Sequence, residues 1–185
     1  MANDKALVGV GMPKTSGAFF LAPAGTTLPT DSATALDAAF IGMGYLNEDG
    51  IANAIETEST DIKAWGGDTV RVIRTSRSET VTATFIESNE AVLKAAFGSE
   101  NVTKDDTSGE ITVKHAGNQS ESYIMVAEIV LSDSRIKRIV IPDGRVDSVG
   151  EIIHKADEAI GYTLTIKCLP DADGVSIYEY LADVA

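Results

Sequence analysis

One short segment near the N-terminus could bind phosphate. Gly9-Val-Gly-Met-Pro-Lys14-Thr15 resembles the end of a phosphate-binding loop, in which backbone N–H groups and a lysine hold the phosphate. Here Pro13 stands where the loop requires a glycine, and proline has no N–H to donate. No predicted strand precedes the segment. The sequence therefore predicts no nucleotide site here.

The remaining reactive side chains do not form a catalytic or metal-binding pattern. Asp171-Ala-Asp173-Gly174 resembles the start of a calcium loop, but the glycine comes two positions early and no terminal glutamate follows, which favours a turn. His115 and His154 have no Cys or His at metal-ligand spacing, and no Gly-x-Ser-x-Gly motif supplies a nucleophile. We predict that the protein is not an enzyme and has no catalytic, cofactor-binding or metal-binding residues.

Length and composition indicate one ordinary globular domain spanning residues 1–185. The chain is 44% hydrophobic and 23% charged, enough to form one core. The net charge of −13 argues against attraction to the nucleic-acid backbone. Cys168 is the only cysteine, so disulfides are excluded and a reducing compartment is indicated. No apolar run is long enough for a membrane anchor.

The hydrophobic pattern is mainly β, with about nine strands and two short helices. Alternating Val, Ile and Thr residues are typical of strands after Thr69, and Tyr162, Leu164, Ile166 and Cys168 alternate with polar residues further on. Turns are predicted at 76–78, 142–144 and 170–174. One helix is predicted at residues 33–40. The other follows Asn89, carries Val92, Leu93, Ala96 and Phe97 at helical spacing, and ends at Gly98.

Two segments lack the pattern of a packed element. Residues 1–16 are read as an N-terminal arm. Residues 47–61 are read as a long solvated loop, because five acids and no base lie between Glu48 and Asp61 and large apolar residues are few. Loops of this length usually have a function.

Charge is unevenly distributed along the chain. The acids of the predicted loop are followed by two basic clusters, one in residues 71–77 and one in residues 135–138. Either the clusters form a solvated, cross-strand-paired face, or they meet the acidic loop of another copy. The residues involved are Glu48, Asp49, Glu56, Glu58, Asp61, Arg71, Arg74, Arg77, Arg135, Lys137 and Arg138.

Trp65 is the only tryptophan and precedes a Gly66-Gly67 break. A tryptophan is more often a core anchor than a binding platform, so we predict that it packs in the core. The expected structural anchors are Trp65, Gly66, Gly67, Phe85 and Phe97.

Four segments of the chain stand out together by their order and spacing. They are Gly44-Tyr45-Leu-Asn-Glu48-Asp49-Gly50, Ile62-Lys-Ala-Trp65-Gly66-Gly67-Asp-Thr-Val70-Arg71, the run from Phe85 to Gly98, and the strands from Gly161 to Ser176. These segments resemble the major tail tube protein of long-tailed, non-contractile bacteriophages, especially phages of actinobacterial hosts, and the last of them resembles the closing strands of that family. The resemblance covers nearly the whole chain.

The resemblance implies a two-sheet β-sandwich or barrel with a flanking short α-helix, related in fold to the type VI secretion tube. It implies hexameric rings stacked into a tail tube that conducts DNA without binding it specifically. The protein would be made in the bacterial host cytoplasm, reside in the virion tail, and meet tape-measure, tail-tip and tail-terminator proteins. The C-terminal immunoglobulin-like domain of many members is not expected in this chain.

We expect the negative charge to keep DNA off the tube wall, and residues 47–61 together with the N-terminal arm to stack the rings. Two alternatives are a secretion-type tube or phage head-tail connector, and a non-catalytic monomeric β-sandwich that binds a ligand. The scarcity of aromatic residues, with five Phe, five Tyr and one Trp, counts against the second.

Overall fold

The computed structural model describes residues 8–14, 17–117, 121–131 and 135–182, and these residues are mainly β. Residues 1–7 and 15–16 of the expected N-terminal arm lie outside this description. The strands in the described part are β1 (Gly11–Pro13), β2 (Phe19–Pro23), β3 (Ile41–Gly42), β4 (Leu46–Lys63), β5 (Thr69–Phe85), β6 (Val102–Lys104), β7 (Ile111–Val113), β8 (Ser122–Leu131), β9 (Ile136–Val149), β10 (Tyr162–Leu169) and β11 (Tyr178–Ala182). One α-helix, α1, spans Glu90–Phe97. No helix in these ranges is long and apolar enough to cross a membrane.

Nine strands form one antiparallel sheet, and β6 and β7 form a second, small sheet. The main path runs β3-β2-β8-β9-β10-β5-β4. One edge of β8 pairs with β2 and then with β1, while the other edge pairs with β9. The free edge of β9 pairs with β11 and then with β10. The prediction of a mainly β fold with two sheets and a flanking helix is confirmed.

The core lies where the alternating strands face each other. Leu164 and Ile166 of β10 and Phe85 of β5 are fully buried, as period-two patterning requires. The rings of Phe19 and Phe85 meet edge to face with centroids 5.3 Å apart. This geometry favours the aromatic quadrupoles and fixes β2 against β5.

Helix α1 covers one side of this core, as its sequence predicts. Asn89 caps it, because its Oδ1 accepts from the Val92 N–H at 2.9 Å. Val92, Leu93 and Ala95 are buried. The helix ends at Gly98, which has φ +91°. The helix is therefore specified by its own residues and braced by the sheet.

The helix predicted at residues 33–40 is absent, and the chain there forms bends. The Asp31 carboxylate accepts from the backbone N–H groups of Ala33 and Thr34 at 2.8 and 2.6 Å. An aspartate that starts a helix can equally close a local turn, and the small alanine-rich segment that follows offers little apolar surface to pack a helix.

The predictions of a loop at 47–61 and of turns at 76–78 and 142–144 are also wrong. Residues 47–61 lie in strand β4, and residues 76–78 lie within β5. Residues 142–144 lie inside β9 at a register shift, where Tyr123 pairs with Gly144 and Met125 pairs with Ile141. A bulge there accommodates Pro142, which cannot donate to the ladder. The turn at Pro170–Gly174 is present, closed by Gly174 N–H donating to the Asp171 carbonyl at 3.0 Å.

Candidate assembly surfaces

The strands β4 and β5 form a long two-stranded ribbon. Their pairing runs from Ile51 opposite Ala83 to Lys63 opposite Thr69. The connecting tip is Ala64–Asp68, in which Gly67 N–H donates to the Ala64 carbonyl at 2.9 Å and Ala64 N–H to the Asp68 carbonyl at 2.8 Å. Gly67 has φ +93°, a conformation that a side chain would strain. The Gly66-Gly67 pair therefore reverses the chain.

Most of this ribbon extends beyond the rest of the sheet. Strand β10 pairs with β5 only from Phe85 to Thr80, so no third strand among the described residues supports the remainder of β5. All side chains from 52 to 77 are exposed. We call residues 52–77 the hairpin arm. An isolated two-stranded hairpin is marginally stable in water, so a surface of this kind needs a partner.

The hairpin arm carries apolar side chains that the described part of the chain leaves exposed. Six of its large apolar residues are exposed: Ile55, Ile62, Trp65, Val70, Val72 and Ile73. Trp65 at the tip has a relative exposure of 106%. Exposed apolar residues concentrated at the edge of a sheet mark an interaction surface or an aggregation hazard.

The prediction that Trp65 anchors the core is therefore wrong for the single chain. Gly66 and Gly67 lie with it at the tip. Phe85 is in the core, with 0% exposure. Phe97 is half-buried at the end of α1, where its ring lies 4.4 Å from that of His115. A tryptophan beside two glycines at a strand end gives the same local signal whether it points into a core or out of a turn.

The first acidic and basic clusters lie on the same ribbon. Glu56, Glu58 and Asp61 are on β4, while Arg71, Arg74 and Arg77 are on the neighbouring strand β5, opposite Ile62, Ser59 and Thr57. Their segregation along the sequence thus disappears in space. The hairpin arm contains four acids and four bases and is neutral, so the net charge of −13 belongs to the rest of the chain.

Two polar interactions within the ribbon involve these charges. Arg77 pairs with the buried Glu79 at 2.9 Å, and Ser76 Oγ donates to Glu58 at 3.1 Å. Lys63, Arg71 and Arg74 form no ion pair with any residue that the structure describes. These three bases lie on the half of the ribbon nearer the tip and pair with no acid among the described residues.

The second basic cluster is split by its burial. Arg138 is 1% exposed and forms an ion pair with the buried Glu128, so the prediction that it contacts another subunit is wrong. Lys137 is on the surface and pairs with Glu179 at 3.0 Å. Arg135 also interacts within its own chain. Strand alternation places neighbouring residues on opposite faces, which a cluster counted along the sequence does not reveal.

A groove lies at the opposite end of the ribbon. It has a volume of about 1080 Å³ and lies between β1, the chain around Gly42–Gly44 and the start of β4. We call it the β1/β4 groove. Its apolar wall includes Met12, Tyr45 and Ile51. No local sequence pattern predicts this groove, because it joins β1 to the start of β4, more than thirty residues further along the chain.

The polar wall of the β1/β4 groove is acidic. Its charged residues are Glu48, Asp49, Glu87 and Lys14, and Lys14 is paired with Glu128. Glu87 accepts from the Tyr45 N–H at 2.8 Å. A Cβ on Gly44 would lie 2.4 Å from the Glu87 carboxylate, and Gly44 has φ +83°, so glycine is required there. Asn47, also in this wall, has the one buried side-chain atom of the described residues, Oδ1, without a hydrogen-bond partner.

A second cavity of about 430 Å³ lies at the end of α1. Ser99 Oγ and Tyr123 OH donate to Glu121 at 2.5 and 2.6 Å. These hydrogen bonds, chiefly that of Ser99, lower the pKa of Glu121, while burial and the Glu121 bond raise the pKa of Tyr123. The carboxylate thus ties the chain after α1 to β8.

The residues considered first for chemistry have structural roles or lie apart. Lys14 pairs with Glu128 at 2.6 Å instead of closing a phosphate loop. Asp171 accepts from its own turn and from Tyr178 OH at 2.7 Å. His154 is exposed in the connection between β9 and β10. The described residues contain no group of three His, Cys, Asp or Glu side chains that could hold a metal ion.

Comparison with known proteins identified a family and two similar structures. A family model described as phage tail tube protein matches residues 1–184. A chain of the virion of a native gene transfer agent particle is 9% identical, with TM-score 0.41 over 92% of this chain and 99% of that one. A chain of the anti-feeding prophage cap, the cap that terminates its tube, is 12% identical, with TM-score 0.43 over 95% of both chains. Curated protein sequences gave no match.

Proposed function

The chain belongs to the phage tail tube protein family, a structural, non-catalytic family of the virion tail, and on this premise we propose that six copies form a ring and that rings stack into the tube. The tube is the conduit for DNA during delivery into the host. The proposal extends to a tail of the long, non-contractile type. Its further partners are the tape-measure, tail-tip and tail-terminator proteins.

The hairpin arm is the observation that carries this proposal. It extends past the sheet, is exposed on both faces and presents apolar residues that only another molecule can cover. A head-to-tail contact repeated between copies generates a ring or an open filament. A tube subunit needs such contacts within a ring and between rings, whereas a monomeric binding domain has no use for an unsupported ribbon.

The distribution of charge supports a DNA conduit. Six copies would together carry −78, and the neutral hairpin arm contributes none of it. A wall with the same sign as DNA repels the phosphate backbone. Screening limits this repulsion to about 8 Å at physiological salt, so the charge prevents adhesion and does not steer from a distance.

We assign ring stacking to residues 47–61, which form the β4 side of the ribbon. The N-terminal residues 1–16 take part in ring stacking as well, and Arg135 and Lys137 supply a further charged surface at the start of β9. The helix α1 packs on the side of the barrel away from the lumen.

Electron microscopy of the purified protein tests the proposal. Negatively stained samples over a range of concentrations should contain sixfold rings or tubes with a central channel. Light scattering should show a mass corresponding to hexamers or longer assemblies. The proposal would be overturned if the purified protein stayed monomeric at every concentration and if tails isolated from virions contained no rings of it.

A further inference from the structure

We propose that the tip of the hairpin arm, with Trp65 at its centre, docks into the β1/β4 groove of a second copy of this chain. The inference rests on the proposed function and adds the two surfaces that meet. One subunit then presents a projecting tip at one end of the ribbon and a receiving groove at the other.

The tip cannot fill the groove of its own chain. The groove lies at the start of β4, whereas the tip follows the end of the same strand. The extended strand from Ile51 to Lys63 spans about 40 Å at roughly 3.3 Å per residue. Register shifts at Glu58/Ser59 and Ile62/Lys63 bend the ribbon but leave it paired. The contact is therefore between copies, and it joins different surfaces of each.

The apolar parts of the two surfaces match. Trp65 presents its whole side chain to solvent, and Val70 beside it is also exposed. In the groove, Tyr45 is 76% exposed and Met12 is 51% exposed. Gly17, Gly42 and Gly44 lie in the wall and leave the space open. Aromatic residues seated in pockets are the usual anchors of protein interfaces.

The charges are complementary as well. Residues 61–74 contain three bases and two acids, whereas the groove wall contributes Glu48, Asp49 and Glu87. The one base in the wall, Lys14, is already paired with Glu128. Lys63, Arg71 and Arg74 form no ion pair within the described part of their own chain. Complementary potentials favour this pairing over tip-to-tip contact, where like charges would meet. The second copy is therefore the occupant that fits.

Disulfide cross-linking tests the contact directly. Gly66→Cys adds a side chain with nothing within 4 Å, and Glu48→Cys places a thiol at the groove. The native Cys168 is buried. A chain carrying both substitutions should give, on oxidation, a ladder of dimers, trimers and higher species, because each copy links through both ends. The matched control, Gly66→Cys with Thr107→Cys on the exposed turn after β6, should give dimers at most.

Charge exchange provides a second test. Arg71→Glu with Arg74→Glu should lower the assembled fraction by at least about tenfold, because acid would then face acid. Adding Glu48→Arg and Asp49→Arg should restore assembly, whereas adding Glu151→Arg and Asp157→Arg, outside the groove, should not. Circular dichroism checks that each variant is folded.

The outcomes separate the two proposals. Tubes that form without a ladder and without charge rescue would overturn the docking and leave the tube function standing. Wild-type protein that forms neither rings nor tubes would overturn both. A ladder together with specific rescue supports the docking.

Discussion

Glu128 and Arg138 lie directly opposite each other on β8 and β9 and form a buried ion pair, with relative exposures of 2% and 1%. Arg138 Nε donates to Glu128 Oε1 at 3.0 Å, and Lys14 Nζ donates to Glu128 Oε2 at 2.6 Å. Arg138 Nη1 also donates to the Asp31 carbonyl at 2.7 Å. The pair thus ties the residue after β1 and the segment after β2 to the central strands.

We expect Arg138→Met to lower the free energy of unfolding by about 3–5 kcal/mol, because it leaves Glu128 buried with only a half-exposed lysine as partner. Urea unfolding followed by circular dichroism measures the loss. Replacing both partners, in Glu128→Leu with Arg138→Met, should recover part of it, since neither buried charge then remains. A loss below about 1 kcal/mol in the single variant would contradict this account.

Removing the hairpin arm should separate folding from assembly. Asn53 and Val81 pair directly, so residues 54–80 can be replaced by Asn-Gly, which closes a two-residue hairpin. Glu79 and Arg77 leave together, so neither charge of that pair is left behind. The shortened chain should unfold cooperatively yet remain monomeric by light scattering. Normal tubes from this variant would show that the hairpin arm is not an assembly surface.

Trp65→Ala and Phe85→Ala should have opposite effects. The exposed Trp65 contributes little to the isolated subunit, so its loss should change the free energy of unfolding by about 0.5 kcal/mol or less while impairing assembly. Phe85 is fully buried, and its replacement should cost about 3–5 kcal/mol. Denaturant unfolding and electron microscopy on both variants check the contrast. Equal destabilisation by the two substitutions would be inconsistent with an exposed tip.

The segment after β2 should loosen in acid. Hydrogen bonds, first that of the Thr34 side chain and then those of the Thr34 and Ala33 N–H groups, lower the pKa of Asp31 from 3.8 to about 2. A lowered pKa in the folded state stabilises the protein above the unfolded value, and this contribution is lost as the pH falls from 3.8 through about 2. Carboxyl NMR titration measures the pKa. An Asp31 pKa at or above 3.8 would contradict the hydrogen-bond pattern.

Local features of the sequence predicted some elements accurately. The Asn89 cap, the apolar spacing from Val92 to Phe97 and the Gly98 stop specify α1, because each acts within a few residues of the helix. The alternation in β10 likewise predicts a half-buried strand. The β4 side of the hairpin arm escaped prediction because backbone pairing with β5 holds it as a strand while both of its faces are exposed. It therefore lacks the apolar alternation by which a strand is identified.

By itself, the sequence determined the acidic charge, the mainly β character, the capped helix and the absence of a disulfide, since these depend on composition or on neighbouring residues. Only the tertiary structure decided that Arg138 is buried while Trp65 is exposed. Arg138 is covered because β8 brings Glu128 opposite it. Trp65 is uncovered because β10 ends at Leu169, before the turn that begins at Pro170, while β5 continues past it unsupported. The burial of a side chain depends on where strands that are distant in the sequence end, and no local sequence pattern contains that information.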